Sequence, residues 1–359
     1  MKNSQPKLQN LRPPLTLLER LSNAVGVSGD EEEIRRIVME QIRPFVDEVT
    51  VDALGNVLAI KHAAEPDAAR VMFAAHMDEV GFMLVEEAGE GSYAFEPVGG
   101  IDQRQLLGKP VLVGKDHLPG VIGSKPIHLC SAEELHQAVP QTNMHIDLGP
   151  GCASKVKIGN FATFATRFQR NGDALFGKAL DDRLGVATLI ELARLNPGNL
   201  EILFAFTVQE EIGLRGARVA AYDFQPDMAF VVDSTPAFDL PMVQEDEENT
   251  QYNTRLGGGP AIYLSDAGTI SDPRLVQFMV RLAEEHRVPF QFRQPGGGGT
   301  DAGAIHLTRS GVPSVSISIP GRYAHTPILH ASLEDWKNTL VLLNLVLLHA
   351  SRSILTPDR

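Results

Sequence analysis

The stretch Leu200-Glu201-Ile202-Leu203-Phe204-Ala205-Phe206-Thr207-Val208-Gln209-Glu210-Glu211 decides the fold. It is a short apolar run, rich in β-formers and unbroken by alternation, that stops at two adjacent carboxylates. Such a run suits a central strand covered on both faces, rather than one with a wet side. Three further runs read the same way, at residues 71–75, 229–232 and 313–319. Between and after them lie helical patterns at residues 183–195, 273–287 and 333–348. The class expected is α/β with a mainly parallel or mixed sheet.

Working outward, Ser28-Gly29-Asp30-Glu31 has the spacing of a capping box. It predicts an amphipathic helix to about residue 46, with Ile34, Ile37, Val38 and Ile42 on one face. Residues 49–51 and 57–60 flank Leu54-Gly55-Asn56 and predict a hairpin. Between Asp78 and Asp181 the pattern changes to Gly- and Val-rich runs, at residues 111–113, 156–158 and 162–166, with little helical periodicity. Residues 80–171 therefore read as a small β domain inserted into an α/β domain made of residues 1–79 and 172–359. A decorated loop of that length without structure of its own is the less common alternative.

Composition bounds the function. The chain has 359 residues, 43% of them hydrophobic, enough for two domains and a large core. A formal charge of -13 without a basic stripe argues against a nucleic-acid partner. Cys130 and Cys152 give neither a metal-ligand spacing nor a disulfide framework, which fits a reducing compartment. Lys2, Lys7 and Arg12 precede no apolar segment of the signal-peptide kind, and no stretch approaches the roughly 20 apolar residues of a membrane span. A cytoplasmic protein is expected.

The chemistry lies where the apolar runs end. In open α/β sheets ligands bind outside the carboxyl ends of the strands, and His76, Glu210, Glu211 and Asp233 all occupy such ends. His76 and Asp78 are two apart, so in extended chain both point to one side, and Asp78 can take the other imidazole N–H and fix its tautomer. Taken alone, such a triplet is more often a solvated loop than a metal site. Glu210 and Glu211 would repel each other unless a cation compensates. Because neighbouring side chains diverge, one can bind metal while the other faces an attacking water. That divergence disfavours a glycosidase, whose two carboxyl groups flank one bond. Asp182 is positioned to cap the helix from Arg183, which leaves Asp181 as the better bridging ligand. Asp233 and His325 complete a mixed oxygen and nitrogen set for two ions of the zinc, cobalt or manganese type.

The segments Ala75-His76-Met77-Asp78-Glu79-Val80-Gly81-Phe82, Gly177-Lys178-Ala179-Leu180-Asp181-Asp182-Arg183, Gln209-Glu210-Glu211-Ile212-Gly213, Gly299-Thr300-Asp301-Ala302-Gly303 and Arg322-Tyr323-Ala324-His325-Thr326-Pro327 resemble the tetrahedral aminopeptidases. That family of dinuclear metallo-aminopeptidases includes glutamyl aminopeptidases and proteins called cellulase M, and the resemblance runs from about Leu15 to Ser351. It implies a zinc-peptidase-like α/β/α sandwich with a mixed sheet, interrupted by a small β-barrel-like domain that serves oligomerisation, often into tetrahedral dodecamers. It also implies two divalent ions per subunit, zinc or cobalt. Asp181 would bridge them, with His76 and Asp233 on one and Glu211 and His325 on the other.

On the same resemblance Glu210 is the general base, Asp78 orients His76, and Thr300 and Asp301 support the site. The reaction implied is removal of N-terminal residues from peptides with a free N-terminus by metal-activated water. A deacylase or carboxypeptidase on the same scaffold is the alternative, as is a non-catalytic assembly protein, though the latter has no use for Glu210. The chain departs from the pattern at Gly258, where a basic residue is expected, and at Thr326, where many relatives carry Ser. The acidic run Glu245-Asp246-Glu247-Glu248 reads as a solvated loop or as an entrance screen against acidic peptides. With the net charge, it predicts that leucine-like N-terminal residues are preferred to glutamate-like ones.

Overall fold

A computed structural model describes residues 12–89, 91–152, 155–240, 254–294 and 297–356. The acidic run Glu245–Glu248 lies outside the described residues. The chain opens with helices α1 (Leu15–Asn23) and α2 (Glu32–Ile42), then a hairpin of β1 (Glu48–Val51) and β2 (Val57–Lys61), then strand β3 (Ala69–His76). Ser28 is not the cap of α2. Glu31 occupies that position, its carboxylate turning back to accept from the Gly29 N–H at 2.7 Å, while the Ser28 hydroxyl donates to Asp78 at 2.6 Å. That charge-assisted bond holds the hydroxyl at the buried carboxylate, and no helix N–H among the described residues donates to it.

Six strands follow: β4 (Gly81–Gly89), β5 (Ser92–Val98), β6 (Pro110–Val113), β7 (Leu118–Gly123), β8 (His145–Asp147) and β9 (Phe161–Phe164). They close into an antiparallel barrel in the order β4-β5-β8-β7-β6-β9. Closure removes the sheet edges, and Phe82 fills the interior with edge-on contacts to Phe95 and Phe164 at 5.1 and 5.2 Å. Residues 156–158, expected as a strand, instead enter a turn. The Asn160 side chain accepts from the Lys157 N–H at 2.9 Å and Gly159 takes φ 88°, leaving Val156 in the barrel core and Ile158 exposed.

Strands β10 (Gln169–Asn171) and β11 (Ala174–Gly177) rejoin the large sheet, followed by α3 (Leu180–Leu192), β12 (Leu200–Thr207), α4 (Arg215–Phe224) and β13 (Met228–Pro236). The chain then forms β14 (Ala261–Tyr263), α5 (Pro273–His286), β15 (Gln291–Arg293), α6 (Ala302–Ile305), β16 (Ser314–Arg322), β17 (Leu329–Ser332) and α7 (Leu333–His349). The main sheet runs β1-β2-β12-β3-β13-β16-β17-β11-β10. Its centre, β12-β3-β13-β16, is parallel, and the flanks are antiparallel. This is the expected mixed sheet.

Strand parity explains why the central runs show no alternation. Val71, Phe73 and Ala75 of β3, with Ile202, Phe204 and Phe206 of β12, face the core covered by α1, α2, α3, α5 and α7. Met72, Ala74, Leu203 and Ala205 face a second core under α4 and α6. Both faces are dry, so both parities are apolar. Phe73 stacks between Phe204 and Phe230 at 6.1 and 5.5 Å across the strands. Helix α4 escaped the sequence reading; its buried face consists of Phe224 and the small residues Gly216, Ala217, Ala220 and Ala221.

Asp233 does not end its strand. Strands β13 and β16 stay paired as far as Pro236 opposite Gly321, carrying the ladder through the polar residues Ser234 and Thr235. Strand pairing, not hydrophobicity, sets that boundary.

Candidate active site

The parallel strands deliver their carboxyl ends to one place. His76 closes β3 and lies level with Thr207, the last residue of β12, so the two chain ends that carry His76 and Glu210-Glu211 emerge side by side. Asp78 ties them together. The His76 Nδ1 atom lies 3.2 Å from the Asp78 carbonyl oxygen and 3.6 Å from its carboxylate. The same carboxylate accepts from the N–H groups of Glu210 and Glu211 at 3.1 and 3.2 Å, besides the Ser28 hydroxyl. One buried side chain thus sets the ring plane of His76 and the turn that aims both glutamates. Its pKa shows the balance: burial pushes it up, but His76 and these donors hold it below the ordinary aspartate value.

Two groups of side chains that could serve as metal ligands form around Asp181. Its Oδ1 lies 3.3 Å from His76 Nε2, which is 3.7 Å from the Asp233 carboxylate. Its Oδ2 lies 3.5 Å from His325 Nε2, which is 3.1 Å from Glu211. His76, Asp181 and Asp233 can each offer one atom to a metal ion, and so can Asp181, Glu211 and His325. The helix signal at Asp182 also holds: its carboxylate accepts from the Gly185 N–H at 3.0 Å.

The backbone is bent to make this convergence. Ala179, Gln209, Tyr323 and His325 all have positive φ, between 54 and 64°, a region costly for residues with a side chain. Gln209 immediately precedes Glu210, His325 is itself a site residue, and Ala179 and Tyr323 each lie two residues before one.

Electrostatics test whether cations fit. Burial raises the Asp233 carboxyl to about 6, although His76 opposes the rise. Burial likewise pushes Glu210 and Glu211 well above the usual carboxylate range. Burial would lower the His76 imidazole, but Asp181, Asp233 and Asp78 raise it well above its ordinary value. Asp181 resists its own burial through His76 and falls to about 2. So many buried carboxylates cannot all ionise beside two imidazoles. Divalent cations would relieve that excess, and the oxygen and nitrogen donors suit them.

The two groups differ in exposure. His76 is buried, while the His325 side chain is 44% exposed and Gly100 of the barrel lies beside its ring. Among the described residues no side chain donates to the Glu210 carboxylate.

Thr300 and Asp301 belong to neither ligand group, although Asp301 is near enough for the charges of His76 and Asp233 to act on it. Asp301 accepts from Thr207 and is raised by burial to about 7, against that hydrogen bond. The Thr300 and Ser316 hydroxyls pair at 2.7 Å. At Gly258 a side chain would meet Gln291 at 2.5 Å, so Gln291 fills the space where the expected basic residue would start. Sequence reasoning gave no role at the site to Ser28, Glu79 or Lys178. Glu79 and Lys178 stood inside the quoted motifs, and an ionisable residue among apolar neighbours was the available signal. Burial lowers the Lys178 ammonium to about 8 against the pull of Glu79.

The chain belongs to the M42 glutamyl aminopeptidase family, whose model matches residues 55–342. It is therefore a peptidase of a metallopeptidase family, as the motifs implied. A TET aminopeptidase from a marine sediment archaeon, Thaumarchaeota archaeon SCGC AB-539-E09, superposes with a TM-score of 0.88 at 35% identity, covering 95% of this chain and 98% of that one. The TET1 peptidase of Pyrococcus horikoshii, described as able to assemble into a tetrahedron or a large octahedral shell, gives 0.82 at 33% identity, over 94% and 99% of the two chains. The lysyl aminopeptidase of Pyrococcus furiosus is 32% identical over 338 residues, 91% of this chain and 94% of the relative. No helix among the described residues is long and apolar enough to cross a membrane.

Proposed function

We propose that the chain is a dinuclear metal-dependent aminopeptidase that removes N-terminal residues from peptides. The observation that supports this most directly is the division of the Asp181 carboxylate, one oxygen towards His76 and the other towards His325. His76, Asp181 and Asp233 would hold one divalent ion, and Asp181, Glu211 and His325 the other, zinc or cobalt being suited to the donors. When bound, such a pair supplies Lewis acidity and a water acidified near neutrality. Glu210, whose carboxyl burial raises well above the usual range, would take a proton from the attacking water and return it to the leaving amine. Asp78 fixes the tautomer of His76 and the aim of Glu210.

The small pocket beside Glu211 and His325 is walled by Val80, Phe164, Ala179 and Leu329. Lys178 also lines it, but its ammonium is engaged by Glu79 at 2.8 Å. An acidic side chain near this shallow recess would meet the carboxylates of Asp181 and Glu211 beside those apolar residues, and a cation already paired. Metal-loaded enzyme should therefore cleave leucyl p-nitroanilide with a higher kcat/KM than the glutamyl analogue, roughly 10-fold on the scale of a modest pocket difference. Peptides acetylated at the N-terminus should resist. Cleavage of blocked peptides, or release from the carboxyl end, would defeat the aminopeptidase reading. A glutamyl preference would defeat the pocket argument alone.

Assembly is read in the same way. The barrel insert, residues 80–171, carries subunit contacts for a homo-oligomer, a tetrahedral dodecamer on the pattern of the P. horikoshii peptidase. The excursion between β7 and β8 holds Ile127, Leu129 and Leu135, which are 75, 61 and 51% exposed in the single chain. Aliphatic side chains so close together at a surface call for a partner. Ile127→Asp with Leu129→Asp should shrink the particle, read by light scattering; an unchanged subunit number would remove this excursion from the contacts.

A further inference from the structure

Glu79 follows Asp78 directly, belongs to neither ligand group, and is almost wholly buried. Its carboxylate gathers donors from three separate parts of the chain. Oε1 accepts from the Gly26 N–H at 3.0 Å, and both oxygens accept from Lys178 Nζ at 2.8 Å. Oε2 also accepts from the hydroxyl of Thr163, at 2.8 Å, on barrel strand β9. The backbone of Glu79 is bound as well, its N–H donating to the Gly26 carbonyl at 2.9 Å.

Lys178 continues the network towards the ligands. Its ammonium donates to the Ala24 carbonyl at 2.8 Å, and its own carbonyl accepts from the Ser22 hydroxyl at 2.7 Å. The left-handed residue Ala179 comes next, and Asp181 two residues later. Arg183, fully buried, stands 3.5 Å from Glu79. Thr163 is thus one bond from Glu79. Glu79 in turn adjoins Asp78, which aims His76 and both glutamates, and grips Lys178, which fixes the turn into Asp181.

A buried ion pair is weak evidence of stability, because desolvation offsets much of its attraction. Its directional hydrogen bonds make it better suited to fixing geometry. We propose that Glu79 and Lys178 are positioning residues that register the barrel against the two-ion cradle, with the Thr163 hydroxyl as the barrel's point of attachment. The inference rests on the reading of Asp181 as a ligand shared by both ions. Outer partners of metal ligands typically set affinity or activity by about 10- to 100-fold, and this network reaches the cradle along the backbone at two places, Asp78 and the turn before Asp181.

Thr163→Val tests it with the least disturbance, since it removes one hydroxyl and leaves the ion pair in place. Zinc-loaded full-length protein is mixed with a chromophoric chelator, and the rate of zinc loss is followed beside the thermal midpoint, kcat and KM. The variant should lose zinc about 10-fold faster and show a lower kcat at unchanged KM. Thr163→Ser, which restores a hydroxyl, should recover both. Glu79→Gln should exceed the effect of Thr163→Val where it folds; where it does not, the two Thr163 variants decide.

A Thr163→Val protein that loses thermal stability while keeping wild-type zinc release and kcat would make the network merely structural and overturn the proposal. Failure of Thr163→Ser to rescue would do the same. Wild-type protein that retains no divalent ion would instead overturn the reading of the site itself, and this proposal with it.

Discussion

Glu210→Gln should keep its full complement of metal and lose at least about 100-fold in kcat, equivalent to about 2.7 kcal/mol of transition-state stabilisation. Glu210 is held by its backbone, through the Asp78 carboxylate, so the amide substitution leaves its attachment intact. It belongs to neither ligand group, so no donor to an ion is removed. The glutamine has the same shape but cannot accept and return a proton. Metal analysis of the purified variant, with kcat on a leucyl nitroanilide, separates the two effects. Near-wild-type turnover at full metal content would take Glu210 out of the mechanism, and loss of metal would make it a ligand.

Much of this arrangement was legible before any coordinates. The central strands announced themselves because a strand with two dry faces must be apolar at both parities, as Phe73 and Met72 show on opposite sides of β3. Their ends announced the site because charged residues at such termini have nowhere else to converge. The barrel was legible as a class, from Gly and Val density, but not strand by strand. Its pairing is set by turns such as Lys157 to Asn160, whose side-chain hydrogen bond overrides the β-forming residues around it.

The errors share a cause. Ser28 looked like a cap because local spacing carries no information about Asp78, fifty residues away, whose buried carboxylate accepts from the hydroxyl and orients it. Asp233 looked like a strand end because hydrophobicity stops there, while the ladder with β16 continues. Gly258 was noticed only as a missing basic residue; that Gln291 takes up the space is a fact of packing between segments. Long-range partners decide all three positions, and periodicity cannot see them.

Asp181→Ala should empty both ion positions, whereas His76→Ala and His325→Ala should each empty one. The argument is geometric. Removing the Asp181 carboxylate takes Oδ1 from the group with His76 and Asp233, and Oδ2 from the group with Glu211 and His325. Each group is left with two donors. His76→Ala leaves Asp181, Glu211 and His325 whole, and His325→Ala leaves the buried group whole. Retention in the Asp181 variant should weaken at both positions by on the order of 100-fold or more, since a ligand itself matters at least as much as an outer partner.

The measurement is ions per subunit after dialysis against a weak chelator, with circular dichroism to confirm the fold. Two ions per wild-type subunit, one in each histidine variant and none in Asp181→Ala is the expected pattern. Asp181→Asn, which keeps the shape but neutralises the bridge, should fall between wild type and Asp181→Ala. If all three alanine variants kept the same stoichiometry, Asp181 would not be shared, and the orientation of its two oxygens towards the two histidines would need another explanation.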